Sequence, residues 1–200
     1  MYRGALEGGE RVLGLEHPNT LTSLGNLALV LWEQGKYAAA EKLYRRALEG
    51  NEKVLGIEHP ETLTSLGNLA WVLREQGKYT AAEKMYQRAL EGNEKVLGIE
   101  HPETLTNVGN LAWVLREQGK YTAAEKMYQR ALEGSERILG PEHPHTSSSA
   151  YNLASLLHIQ ERYDEASPLY LRASKGFSKT LGPNHPTTQE YFQHHSSMQS

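Results

Sequence analysis

The sequence contains no cysteine. Disulfides are excluded, and so is any metal site built on thiolates. No block of lysine and arginine interrupts a nearly balanced charge, formally −3. Neither a nucleic-acid footprint nor a polybasic membrane tether is therefore expected. The longest apolar run, Leu27 to Trp32, is far too short to span a bilayer. The opening MYRGALEGGE lacks the apolar core of a signal peptide. Walker and dinucleotide glycine fingerprints are missing, and Gly50, Gly92 and Gly134 recur singly instead. Ser23, Ser65, Ser147, Ser148 and Ser149 lie near helix starts, where serine is ordinary, and no nucleophile–base–orienter set forms around them. These absences lead to the expectation of a cytoplasmic protein that is not an enzyme and has no cofactor or metal.

What the sequence has is repetition. His-Pro recurs at His17, His59, His101, His143 and His185, each copy 42 residues after the last. Residues 51–92 and 93–134 differ only at Ser65 against Asn107 and Leu66 against Val108. A fixed period of this length marks a stacked repeat array, in which each unit buries its apolar face against its neighbours. The whole chain, 1–200, reads as one such array. Residues 1–16 form a partial second helix, 17–58, 59–100, 101–142 and 143–184 are full repeats, and 185–200 are a partial fifth repeat with a polar tail.

Residues 59–97 illustrate the unit. A residue before proline is pushed out of the helical region, which suits His59 as a cap. Pro60 fits the first helical position, where its missing N–H costs nothing, and Glu61 favours the positive end of the helix dipole. Leu66, Leu69, Ala70 and Leu73 then make one apolar face. Gly77 ends this helix. A second helix carries Tyr79, Ala82, Met85, Tyr86, Ala89, Leu90, Val96 and Leu97 on its apolar side, and small Ala82 and Ala89 let the pair approach closely. The pattern predicts helices near 18–35, 37–55, 60–77, 79–97, 102–119, 121–139, 144–161 and 163–181, with a short capping helix near 187–195 in which Phe192 takes the slot of Leu24. Both edges read as cuts through a longer array. Residues 1–13, which align with 85–97, are where uncapped ends would stack end to end.

The spacing Leu24, Leu27-Ala28, Leu31, Gly35, Tyr37, Ala40, Tyr44, Ala47-Leu48 resembles a tetratricopeptide repeat. The longer unit resembles the repeats of kinesin light chains. The stretches that carry this are Asn68-Leu69-Ala70, Gln76-Gly77-Lys78-Tyr79, Ala82-Glu83-Lys84-Met85-Tyr86, Arg88-Ala89-Leu90 and Leu97-Gly98-Ile99-Glu100-His101-Pro102. The same unit is common in arrays attached to nucleotide-binding signalling proteins of fungi and bacteria. Kinesin light chains also carry a heptad coiled coil, and this sequence has none. The resemblance implies an all-α fold: a tetratricopeptide-type helical-hairpin solenoid wound into a right-handed superhelix. It implies a protein-interaction module or scaffold that takes a peptide in its concave groove. The alternatives are a sensor or regulatory array of a nucleotide-binding signalling protein, or the cargo-binding repeats of a kinesin light chain-like adaptor.

In such arrays the first helix of each unit lines the groove. Its side away from the core-facing leucines carries four rows: Leu29, Trp71, Trp113 and Ser155; Trp32, Arg74, Arg116 and His158; Glu33, Glu75, Glu117 and Ile159; Thr22, Thr64, Thr106 and Ser148. Exposed tryptophan marks contact sites, and Trp and Arg dominate interface energetics. Packing of the rings inside the superhelix is the alternative. Asn26, Asn68, Asn110 and Asn152 fall at the groove edge, where related arrays use asparagine to hold peptide backbone; a bond to the neighbouring loop is the competing reading. The residue before each is Gly25, Gly67, Gly109 or Tyr151, where kinesin light chains commonly have a second asparagine. The expected site is therefore Asn26, Asn68, Asn110, Asn152, Leu29, Trp71, Trp113, Trp32, Arg74 and Arg116. The His-Pro histidines read as helix caps. The tyrosines of both series (Tyr37, Tyr79, Tyr121, Tyr163 and Tyr44, Tyr86, Tyr128, Tyr170) read as core, and His194-His195 as an exposed pair.

Overall fold

The structure is a computed structural model that describes residues 2–196. Ten α-helices succeed one another, with no strand among the described residues: α1 Tyr2–Val12, α2 Pro18–Glu33, α3 Tyr37–Leu55, α4 Pro60–Glu75, α5 Tyr79–Val96, α6 Pro102–Glu117, α7 Tyr121–Leu139, α8 Pro144–Ile159, α9 Tyr163–Leu181 and α10 Pro186–Ser196. They fall into two compact units, residues 1–98 and 99–200. In the first, α2 pairs with α3 and α4 with α5, while α1 packs on α2. In the second, α6 pairs with α7 and α8 with α9, and α10 packs on α9. The side chains of His194 and His195 lie outside those described.

Each His-Pro starts a helix for the reason its sequence suggests. His59 is extended (φ −69°, ψ 139°), and its Nδ1 accepts the Glu61 N–H at 3.2 Å. His17, His101 and His143 do the same at 3.2 Å, and His185 at 3.3 Å. One orphan donor of the first turn is satisfied each time. In the units that begin at His59 and His143, the buried threonine three residues on donates its hydroxyl to the carbonyl of the preceding loop glycine, Thr62 to Gly56 and Thr146 to Gly140, both at 2.8 Å.

The first helices end two residues earlier than their apolar pattern suggests. Gly77 sits past the helix end at φ +71°, its N–H bonds Arg74 O at 2.9 Å, and Lys78 N–H reaches back to Leu73 O at 2.9 Å. This paired closure places the last helical residue at Glu75, so Gly77 is the residue beyond the cap. In the last hairpin Glu161 makes the same bonds, to His158 O at 2.9 Å and through Arg162 to Leu157 O at 3.0 Å, and adopts φ +60° without glycine's freedom.

The core of the first unit holds Leu66, Leu69, Ala70, Val72 and Leu73 of α4 against Ala82, Tyr86 and Ala89 of α5. Their counterparts do the same in the second unit, with Leu111, Ala112, Val114 and Leu115 against Ala124, Tyr128 and Ala131. Two readings need correction. Tyr44, Tyr86, Tyr128 and Tyr170 are core, but the helix-opening series is not: Tyr37 and Tyr79 are half-buried, and Tyr121 and Tyr163 are 36% and 44% exposed. Each opens the second helix at the tip of the hairpin, where its chain neighbours are exposed turn residues such as Gly77 and Lys78. Val96, at the opposite end, is 43% exposed because the 18-residue α5 outruns the 16-residue α4 there.

Mid-helix glycine has a packing cause. A Cβ on Gly92 would overlap Leu63 Cδ2 and lie 3.0 Å from its Cδ1, and Gly50 stands likewise against Leu21. Glycine lets α5 seat directly on the leucine of α4, which outweighs its poor helix propensity. Between hairpins, Glu41 of α3 accepts from Lys78 Nζ at 2.7 Å and Gln76 Nε2 at 2.9 Å, and pairs with Arg45 at 2.8 Å. Burial alone would raise the Glu41 pKa, but these donors outweigh it and hold it at about 2, against 4.5 unperturbed. The second unit repeats the device with Arg162 on Glu125 at 2.8 Å.

This packing leads to three expected outcomes. Gly92→Ala should lower stability by about 1 kcal/mol, because overpacking of about 1–3 kcal/mol exceeds the gain in helix propensity; adding Leu63→Ala should cancel the overpacking part in a double-mutant cycle of denaturant melts. Glu161→Gly should stabilise by about 1 kcal/mol, since a left-handed non-glycine residue costs roughly that much; an unchanged midpoint would show the turn to be unstrained. The Glu41 carboxylate is depressed in the fold, so its contribution is complete above about pH 4.5 and is lost as pH falls toward 2. Glu41→Gln should flatten the acid limb of the stability–pH curve in that window.

Candidate functional site

In the first unit the outer sides of α2 and α4 lie side by side. Trp32 of α2 packs against Trp71 of α4, with ring centroids 4.0 Å apart and the planes tilted by 37°. Both rings are half-buried. The two tryptophans come from different rows of the sequence pattern, so the contact runs diagonally from one repeat to the next. The second unit shows the same diagonal with different chemistry. Arg116 of α6 reaches Ser155 Oγ of α8 at 3.4 Å, and its guanidinium lies 5.2 Å from the ring centroid of Trp113. Such a cation–π contact adds roughly 0.5–1 kcal/mol at a partly exposed site. Further along α8, His158 meets Tyr163 and Tyr170 edge-on, and Tyr151 stacks on Tyr191 of α10 at 3.8 Å.

The arginines of this face are already paired. Arg74 bonds Glu75 at 2.6 Å and Arg116 bonds Glu117 at 2.6 Å. The row Glu75 and Glu117 thus serves to neutralise the row beside it. The asparagines differ: no protein hydrogen bond to the side chain of Asn26, Asn68, Asn110 or Asn152 occurs among the described residues. Asn26 is exposed and the other three are half-buried. The bond to a neighbouring loop that the sequence leaves open is therefore not made.

Between α2, α3 and α4 these groups surround a cavity of about 290 Å³. Asn26, Leu29 and Asn68, all expected from sequence, line it together with Thr22 and Thr64. Tyr44, Asn51, Glu61 and Ser65 also line it, although no sequence pattern marks them as site residues. Asn51 is 5% exposed; its Nδ2 donates to Ser65 Oγ at 2.9 Å, and its Oδ1 has no partner. One signal for them is present in the sequence. Ser65 is one of the two positions at which the near-identical repeats differ.

Tyrosines behind the face are strongly shielded. Burial pushes the Tyr86 hydroxyl up to about 12, with Arg74 and Glu75 acting in opposite senses. Tyr170 is raised to about 12, first by burial and then by Tyr151. Both stay neutral at ordinary pH.

The sequence matches the tetratricopeptide repeat over residues 1–53, 25–95, 72–137 and 109–179. The chain belongs to the tetratricopeptide repeat family. That fold is a protein-interaction scaffold and is generally not catalytic. Two crystal structures of the nearly identical TPR-like repeats of a candidate kinesin light chain from Podosopora anserina, one of them a single-substitution variant, share 24% identity; each covers 90% of this chain and 85% of that one, with TM-scores of 0.79 for the variant and 0.76 for the other. BtubC (BKLC) from P. vanneervenii shares 20% identity over 98% of this chain and 80% of its own, with a TM-score of 0.82. The apo form of RapI shares 16% over 98% and 73%, with a TM-score of 0.78. At these identities the likeness is one of fold. No curated protein matches significantly. Among the described residues, no helix of these repeats is long and apolar enough to cross a membrane.

Proposed function

We propose that the chain is a protein-interaction module that binds an extended or partly helical peptide segment along the face made by the first helices of its hairpins. The observation that carries this reading is a set of amides with nothing to do. The side chains of Asn68, Asn110 and Asn152 are half-buried and make no protein hydrogen bond among the described residues, and the same helices carry half-buried Trp71, Trp113 and Tyr151. An amide offers a donor and an acceptor together, the pair a peptide backbone needs. Flanking rings supply apolar area at little entropic cost. The charges of Arg74 and Arg116 are already offset by Glu75 and Glu117, so apolar and amide contacts dominate the reading.

A second contact, end to end between arrays, is supported by one difference between equivalent residues. Leu69, Val72 and Leu73 of α4 are buried, whereas Leu27, Val30 and Leu31 of α2 are half-buried around a cavity of about 720 Å³ that Leu6 and Leu43 also line. An apolar face of this kind is what a neighbouring repeat covers.

The test is selection of a random peptide library on the protein and, in parallel, on Trp71→Ala/Trp113→Ala. A recovered peptide should lose about 2 kcal/mol or more of affinity for the double variant, with helical circular dichroism retained. Equal affinity for both proteins would remove the tryptophans from the site, and recovery of no peptide by either would remove the groove reading.

A further inference from the structure

We infer that the cavity between α2, α3 and α4 is the selectivity pocket of the groove and takes a cationic side chain, lysine or arginine, of the bound peptide. This rests on the peptide reading above. The volume, about 290 Å³, lies at the lower bound for small-molecule sites and suits one side chain.

The wall chemistry sets the sign. Asn51 Oδ1 is a buried acceptor without a partner, and such groups in native proteins call for an explanation. Thr22 and Thr64 spend their hydroxyl hydrogens on Pro18 O and Pro60 O, each at 3.0 Å. Both hydroxyl oxygens therefore face a ligand only as acceptors. Glu61 is the one charged residue of the lining, is exposed, and has no ion-pair partner among the described residues. No lysine, arginine or histidine lines the cavity. The Asn26 and Asn68 amides offer a donor and an acceptor each, so the balance is tipped by the added acceptors and by a carboxylate that no cation of the lining offsets, and this favours a cationic donor, ammonium or guanidinium.

Variation along the chain points to the same place. Repeats 51–92 and 93–134 are otherwise nearly identical, yet Ser65, which fixes the Asn51 amide, becomes Asn107. In the second unit the positions equivalent to Asn51 and Ser65 are first Ser135 and Ser149 and then Phe177 and Tyr191, whose rings meet at 5.2 Å. The scaffold is kept while this pair of positions runs from amide and hydroxyl to aromatic.

The experiment selects a random peptide library on the protein, on Glu61→Gln and on Ser65→Asn. The last carries the residue of the following repeat, and circular dichroism checks that both variants fold. The wild type should enrich lysine or arginine at one fixed position, and both variants should lose that preference while keeping the rest of the motif. A wild-type-selected peptide should bind Glu61→Gln about tenfold more weakly. Acidic or apolar residues at every enriched position, or a basic preference unchanged in both variants, would overturn the pocket and leave the peptide reading standing. A second measurement needs no peptide. The Asn51 side-chain amide resonances should move on titration with butylammonium chloride and not with sodium butyrate; movement with butyrate alone, or with neither, overturns the assignment whatever the library returns.

Discussion

The seat of a first-helix leucine against a second-helix glycine is the contact on which the rest of each unit depends. Leu21 meets Gly50, Leu63 meets Gly92 and Leu105 meets Gly134, each so close that a Cβ would overlap the leucine methyl. The pair lies 29 residues apart in every copy, so it fixes how far the second helix travels past the first. A hairpin locked at this depth has a set face for its neighbour. Mid-helix glycine costs about 1 kcal/mol relative to alanine. It persists because a wider separation would forfeit dispersion and apolar burial along the whole helix pair.

The last hairpin keeps that close seat with different residues, and its packing loosens beside it. Ser147 replaces the leucine opposite Gly176, and Ala150 replaces Leu66 of the second repeat. In the first unit the cleft beneath the loop at Ile57 and Glu58, floored by Leu63 and Leu66, is about 270 Å³. Its counterpart at Pro141 and Glu142 grows to about 530 Å³ and extends to Phe192. Ser147 Oγ is left without a partner. Phe192 is 39% exposed although it holds the slot of fully buried Leu24. The same hairpin carries Glu161 in the left-handed region. These departures cluster where the repeat pattern itself decays.

Much of this fold was legible because its signals are local. A histidine before proline defines a helix start from two residues, and all five such starts are capped as the sequence suggests. Helix ends were less legible, since glycine marks the end without saying whether it is the last residue or the one beyond the cap. The tyrosine series at Tyr37 looked like core because helical spacing gives the side of a residue but not how little covers that side at the tip of a hairpin. The candidate face was legible by row but not by contact. Trp32 meets Trp71, one repeat on and one row across, and that diagonal is set by how neighbouring hairpins pack. The cavity was invisible for a stronger reason, because Asn51 and Ser65 sit on α3 and α4 of successive repeats and each looks ordinary alone.

That arrangement has a consequence for how such an array can change its preferences. Positions that set the helix seat, the cap and the inter-hairpin ion pair are each tied to a buried or charged partner, so substitution there costs stability. Ser65 is buried but bonded only to Asn51 across the cavity, and neither residue holds a helix to its own hairpin partner. Exchange at this pair alters which hydrogen bonds the cavity offers while Leu63, Gly92 and Glu41 stay as they are. Distant, unshared contacts vary almost independently in energy. A chain of near-identical units can therefore differ in chemistry from junction to junction through two residues at each, and the near-identity of the scaffold is the physical condition that makes those few differences count.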